Sequence, residues 1–269
     1  MASGSRPVDG GWLTVYPGEY EEVMADPVAA RYVKKYVGAR ELLYDEPRYC
    51  LWLADAEAAE ARTSPLLRRR LDGVRAFRAH SRAAATREAA SKPHLFLQIA
   101  QPSTSYLCIP AHIPESRPYF LAARLGPEVV TSNANFLTAD TDGFIFAIIS
   151  STMFLTWQHA VGRRTGSDLR FNKLLTWNTF PLPPTGSGPR RRVIAAGARV
   201  LEVRRSQPDL SLAAQYAPAT MSDELITAHE VLDSEVDRLF GLTWAPVAEL
   251  ERKVVLCSRY QTMTAPAPG

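Results

Sequence analysis

The segment 144–160, FIFAIISSTMFLTWQHA, is the most apolar stretch of the chain. Ser150, Ser151, Thr152, Gln158 and His159 interrupt it. A membrane-spanning helix needs about 20 predominantly apolar residues. This run is shorter and more polar than that, so it predicts a helix buried in a protein core. Such a helix needs other elements to cover it on every side. The chain can supply them: 269 residues, 46% hydrophobic and 22% charged, suffice for one large domain or two small ones. That composition excludes a disordered, collagen-like or disulfide-scaffold chain. The three cysteines, Cys50, Cys108 and Cys257, are odd in number and far apart, so a disulfide framework or zinc site is not expected. A reducing interior, the cytoplasm, fits them. Residues 1–11 are small and polar with no signal-like apolar run, and they read as a flexible lead-in.

Around this core segment the pattern alternates between strand and helix. Residues 12–16 and 48–54 read as strands, and residues 19–37 as a helix. Ser64 and Pro65 are placed to start a helix carrying Leu67, Leu71, Val74 and Phe77 on an apolar stripe and running to about Ala90. Strand-like runs follow at 94–99, 106–109, 119–125, 128–132 and 135–138. Pro102, Pro110, Pro114, Pro118 and Pro127 punctuate them. The stretch 181–192, PLPPTGSGPRRR, loses all periodicity and marks the clearest domain boundary. Beyond it, 193–205 reads as a helix. A second begins at a Ser222 cap, carries Leu225, His229, Leu232, Val236 and Leu239 on one face, and stops at Gly241. On that face His229 reads as a core histidine. The expected fold is α+β: a β-rich domain with packed helices over 12–184, a linker at 185–192, a small all-α domain over 193–262, and a frayed tail at 263–269.

No familiar catalytic pattern is present. GxGxxG, P-loop, HExxH and GxSxG motifs are absent, and the five histidines never pair at ligand spacing. Asp209 with Glu251 and Lys253 could be read as a PD…ExK nuclease set, although a long helical stretch separates its parts. No convincing catalytic centre, cofactor site or metal site emerges.

The basic residues say more. Only five of the 31 are lysine, and arginine's planar fork suits bidentate contact with phosphate and guanine. Arg163, Arg164, Ser167, Asp168, Arg170, Asn172 and Lys173 crowd into eleven positions, and Gly162 and Gly166 permit tight turns there. Arginine can read guanine, asparagine adenine, and aspartate can accept from cytosine, while Thr165 and Ser167 can hold phosphate oxygens. The bland alternative is a solvated loop. Arg68, Arg75 and Arg82 recur every seven residues, a helical rise of about 10 Å that could follow phosphates or merely face water. Arg40 in VGARE and Asn133 in TSNANF could face a groove or close turns.

Several longer stretches carry a family resemblance: YVKKYVGARELL, RYCLWL, RPYF, SSTMFLTWQHAVGRR, LRFNKLLTWNTFPLPP and LITAHEVLDSEVDRLFG. Over about Trp12 to Tyr260 the chain resembles the C-terminal part of MmeI-like DNA methyltransferases, which include single-chain restriction-modification enzymes. The resemblance implies a target recognition domain followed by a helical C-terminal domain. It implies double-stranded DNA as partner and adenine as the methylated base. It places S-adenosylmethionine in a catalytic domain whose FxGxG-type and NPPY-type motifs are not in this chain, so a separate catalytic chain is a further expected partner; no membrane is. It also assigns base contacts to the loop before NTFPLP, which holds Arg163, Arg164, Ser167, Asp168 and Arg170. The chain departs from the family here, with RTGSDLRFN where relatives carry a stretch like RLESRLRFS, which implies a different recognised sequence. QYAPATMS likewise replaces an LYDPxxMP pattern. The alternative to a recognition module is a decayed fragment serving only protein contacts.

Overall fold

A computed structural model describes residues 1–54, 63–166, 168–244 and 246–265. The fold is α+β. The chain divides into two compact units and passes between them four times. One comprises residues 2–106 and 125–137; the other comprises residue 1, 107–124 and 138–269.

In the first unit four short strands lie in the order Thr14–Val15, Tyr49–Leu51, Val33–Val37, Val130–Thr131. The first three are antiparallel, with Cys50 opposite both Thr14 and Lys34. The last is parallel, with Tyr36 beside Val130. Leu13, Val15, Cys50, Leu51, Trp52, Phe96 and Val130 form the core beneath them. The helix expected over 19–37 is cut short. It spans Tyr20–Ala25, then Pro27 intervenes and the Asp26 carboxylate accepts the Val28 and Ala29 N–H groups at 3.0 and 2.9 Å. The valines and tyrosine of VKKYV then extend into a strand, as β-branched and aromatic residues favour.

Residues 1–11 also differ from expectation. Ala2 and Ser3 pair with Leu137 and Phe136, Ser5 bridges Ser132, and Arg6 bridges Gln98. The buried Asp9 carboxylate accepts the N–H groups of Gly11 and Leu13. Backbone pairing and buried polar groups order this segment, and hydropathy registers neither. The 94–99 run makes only the Gln98 bridge and no strand.

The helix capped by Ser64, whose Oγ accepts the Leu67 N–H at 3.0 Å, spans Pro65–Ala79 rather than running to residue 90. A separate turn of helix covers Ala84–Glu88. Its buried positions are Leu67, Arg70, Val74 and Arg78, while Phe77 is 46% exposed. Two arginines thus occupy positions on the inward face. Arg78 donates to the carbonyls of Pro7, Val8, Ala89, Lys92 and Leu95 at 2.7–3.1 Å, tying residues 7–8 and 89–95 to the helix. Arg70 donates to the Trp12 and Thr14 carbonyls and to Glu19.

In the second unit the apolar segment forms two helices, Phe144–Ile149 and Thr152–Val161, instead of one. The buried Ser150 and Ser151 break it, because the Ser151 Oγ caps the second helix on the Phe154 N–H. Helices Ser187–Arg205 and Asp223–Leu239 pack against each other, with Phe144–Ile149 against the first. The first of them begins six residues before the expected Val193. Pro189 falls in its opening turn, where the missing N–H would have had no helical partner. Ser222 caps the second on the Leu225 N–H. His229 is a core histidine: fully buried, hydrogen-bonded to the Tyr216 hydroxyl at 2.7 Å and stacked on Tyr119 at 3.7 Å, its pKa pushed down to about 3 by burial. A last helix spans Glu249–Thr264. Among the described residues no helix is long and apolar enough to cross a membrane.

Candidate nucleic-acid interface

The basic cluster expected in a loop forms a β-hairpin. Arg163–Thr165 pairs antiparallel with Asp168–Arg170, which pairs in turn with His112–Pro114. Arg163 lies opposite Arg170, Arg164 opposite Leu169 and Thr165 opposite Asp168. On the other side Arg170 faces His112 and Leu169 faces Ile113.

Strand alternation then sorts the side chains. Leu169 and Ile113 are buried, so their face of the sheet is the core face. Arg163, Thr165, Asp168, Arg170 and His112 share the opposite face. Arg163, Thr165 and Arg170 are exposed there. Among the described residues neither the Arg163 nor the Arg170 guanidinium has a hydrogen-bond or ion-pair partner. Arg164 falls on the core-side face at the sheet edge and pairs with Glu115 at 2.7 Å.

Two glycines make this geometry possible. Gly166 has φ +62° in the hairpin turn, a conformation that costs other residues. The adjoining Ser167, a candidate phosphate or base contact, lies outside the described residues. At Gly162 a Cβ would sit 2.0 Å from the Gln158 side-chain nitrogen. That nitrogen donates to the Arg170 carbonyl at 3.0 Å, so the glycine lets the preceding helix dock under the hairpin.

Asn172 serves the fold first. Its Oδ1 caps the wide helical turn Lys173–Trp177, accepting the Leu174 and Leu175 N–H groups at 2.8 and 3.1 Å. Lys173 opens that turn, half-exposed.

The remaining candidates lie in the other compact unit. Asn133 is exposed at the turn before strand Asn135–Ala139. Its neighbours Ser132 and Asn135 are buried, and the Asn135 amide donates to the Val37 carbonyl. Arg40 is exposed but held by Glu46, whose carboxylate raises the arginine's pKa through their hydrogen bond. Arg68 and Arg75 stand two turns apart on the outer face of their helix; Arg75 is paired with Asp72. Arg82 lies past the helix end, so the expected stripe of three holds only two on the helix.

Glu251 and Lys253, of the nuclease reading, are engaged elsewhere. Glu251 accepts from the Ala248 backbone and the Trp244 indole, and Lys253 pairs with Glu249. Among the described residues no three potential ligands gather as a metal site.

Three residues escaped the sequence reading. Arg70 and Arg78 stand among other arginines, and no local pattern marks them as inward-facing. His112 joins the outer face only through strand register, for which the linear sequence carries no signal.

The family model for the MmeI target recognition domain matches residues 1–184, and that for the MmeI C-terminal domain matches 188–266. The chain belongs to the MmeI family. A curated relative is DNA methyltransferase A of Bacillus subtilis (strain 168), 31% identical over 262 residues, covering 97% of this chain and 30% of that protein. Among solved structures, the Type IIL restriction-modification enzyme MmeI in complex with DNA matches with a TM-score of 0.93 at 34% identity, covering 98% of this chain and 35% of that one. The chain therefore spans about a third of the length of these two proteins. The two family models meet inside the proline- and glycine-rich stretch 181–192.

Proposed function

We propose that this chain is the sequence-specific double-stranded DNA recognition module of an adenine-specific methyltransferase of restriction-modification type. It holds the site so that the target adenine can be flipped into a catalytic pocket carried elsewhere. The observation that carries the reading is the outer face of the three-stranded sheet, where Arg163 and Arg170 stand exposed and unengaged among the described residues, with Thr165 and Asp168 alongside. Arginine donors left free by the fold are free for a ligand, and a mixed-sign face suits base edges better than phosphate alone.

In this reading Arg163 and Arg170 donate to guanine, Asp168 accepts from cytosine, and Asn133 can serve adenine. Arg164, Ser167, Asn172 and Lys173 are further base-reading candidates. Arg164 must exchange its Glu115 pair to take part, and Asn172 contributes chiefly by its cap. Arg68, Arg75, Arg82 and Arg40 are the phosphate contacts. The recognition domain is taken as 12–184 with the strand-paired residues 1–11 joined to it, and the helical domain, to 262, starts at Ser187 inside the expected linker 185–192. S-adenosylmethionine supplies the methyl group in the catalytic domain. None of this chain's residues is assigned to hold it, and a separate catalytic chain would bring it to the DNA. The compartment that fits is the cytoplasm.

The test is selection of a randomised duplex pool on the purified chain. Enrichment of a defined site is expected. Equal retention of all sequences would overturn base reading.

A further inference from the structure

We propose that Asp233, in the helical C-terminal region, is a positioning residue that holds the recognition hairpin through the helix Thr152–Val161. This rests on the hairpin being the base-reading surface, as proposed above.

Asp233 lies on helix Asp223–Leu239, within the part matched by the C-terminal domain model, and Thr152 lies in the part matched by the recognition domain model. The Asp233 carboxylate accepts the Thr152 N–H at 2.7 Å and the Thr152 hydroxyl at 2.5 Å. Thr152 is the first residue of its helix, so its N–H has no partner within that helix. The helix's own cap, Ser151, satisfies only Phe154. A carboxylate at a helix N-terminus also complements the helix dipole. Asp233 thus completes, from the stretch matched by the C-terminal domain model, a cap that the stretch matched by the recognition domain model leaves open.

The far end of that helix carries the hairpin. Gln158 donates to the Arg170 carbonyl, the Trp157 indole donates to the Thr176 carbonyl at 3.1 Å, and Phe154 lies against Phe171. Gly162 then leads directly into Arg163. A shift or rotation of the helix would carry Arg163 and Arg170 with it, and base reading tolerates little displacement.

The link is charged and buried. Asp233 is surrounded by Tyr119, Arg252 and Asp237, with Glu230 one turn back on its own helix. Arg252 is spent on Asp237, which it holds at 2.9 and 2.7 Å. Burial pushes the Asp233 pKa up to about 6, against the lowering by its Thr152 hydrogen bonds. Asp233 is therefore ionised above that pH and neutral below it. A neutral acid must turn one oxygen into a donor, which Thr152 can meet only by reversing its hydroxyl.

The experiment compares wild type, Asp233→Asn, Thr152→Val and Thr152→Ser. One readout is amide hydrogen exchange over residues 163–171 without DNA. The other is the ratio of affinities for the selected site and a single-base variant, from pH 5 to 8. Asp233→Asn keeps the shape but not the charge. It is expected to speed hairpin exchange and to lower the ratio by about three-fold or more at pH 8. Its pH profile should be flat where the wild type changes near pH 6. Thr152→Val should fall in the same direction, and Thr152→Ser, which keeps both donors, should match wild type. If Asp233→Asn leaves hairpin exchange and ratio at wild-type values, the proposal is overturned. If exchange quickens but wild type itself never distinguishes the two duplexes, the coupling stands and the base-reading proposal falls.

Discussion

Arg78 and Arg170 are the same residue type put to opposite uses. Arg78 is 1% exposed and its donors are spent on five backbone carbonyls. Arg170 stands on a strand whose neighbour Leu169 is buried, and its guanidinium engages nothing among the described residues. The first is part of the fold. The second is available to something outside it. An arginine-rich composition therefore becomes informative only once each guanidinium is traced to its acceptors.

The largest effect should come from breaking Arg78. Removing it takes a donor from five part-buried carbonyls. Those of Pro7, Ala89 and Lys92 keep the N–H groups of Leu97, Lys92 and Leu95, while those of Val8 and Leu95 keep no described donor. Each buried unsatisfied group costs about 1–3 kcal/mol, offset in part by relaxation and water. We expect Arg78→Met to lower unfolding stability by about 3–5 kcal/mol in urea titration, with no defect specific to base reading. Arg78→Lys should recover little, since an ammonium has three donors on a point and cannot span five acceptors. A loss under 1 kcal/mol would show that these contacts are not what holds residues 7–8 and 89–95 to the helix.

Arg170→Ala sharpens the other side of the comparison. Its stability should match wild type, because no described partner loses a bond. Discrimination at one base pair should fall by about 1–3 kcal/mol in competition binding. A uniform loss across all sequences would reassign Arg170 to phosphate. Next in size, Asn172→Ala should cost about 1 kcal/mol of stability, the usual worth of a cap. Its effect on binding should follow from the looser turn, so Asn172→Asp, which keeps the accepting oxygen, should restore stability.

These contrasts also show what was readable beforehand. Helix starts were legible where a side chain does the capping, as at Ser64 and Ser222, because the signal is local. His229 was legible from its place on an apolar stripe. The two-helix break at Ser150–Ser151 was not, although the serines were visible, because hydropathy averages them away. Residues 1–11 failed for a related reason: their order lies in strand pairing with residues far along the chain. At the candidate site the clustering of residue types was visible in the sequence and its strand arrangement was not. Only register puts Arg164 on the core-side face and His112 in line with Arg170. Sequence spacing likewise assigned the inward face of helix Pro65–Ala79 to Leu67, Leu71, Val74 and Phe77; Leu67 and Val74 are buried there, and Arg70 and Arg78 take the other two places.

That same helix offers the smallest and most discriminating test, since its outer face carries the proposed phosphate contacts. Arg68 has no ion-pair partner among the described residues, because Asp72, one turn on, is held by Arg75. A phosphate contact releases counterions, so each one lost should reduce the slope of log affinity against log salt by about 0.9. Arg68→Ala should show nearly that reduction and weaken all duplexes alike. Arg75→Ala should show less, because its charge is partly neutralised before DNA arrives. Asp72→Ala should then free Arg75 and steepen the slope above wild type. If Arg68→Ala leaves the slope unchanged, this face only meets water, and phosphate contact must be sought on other arginines.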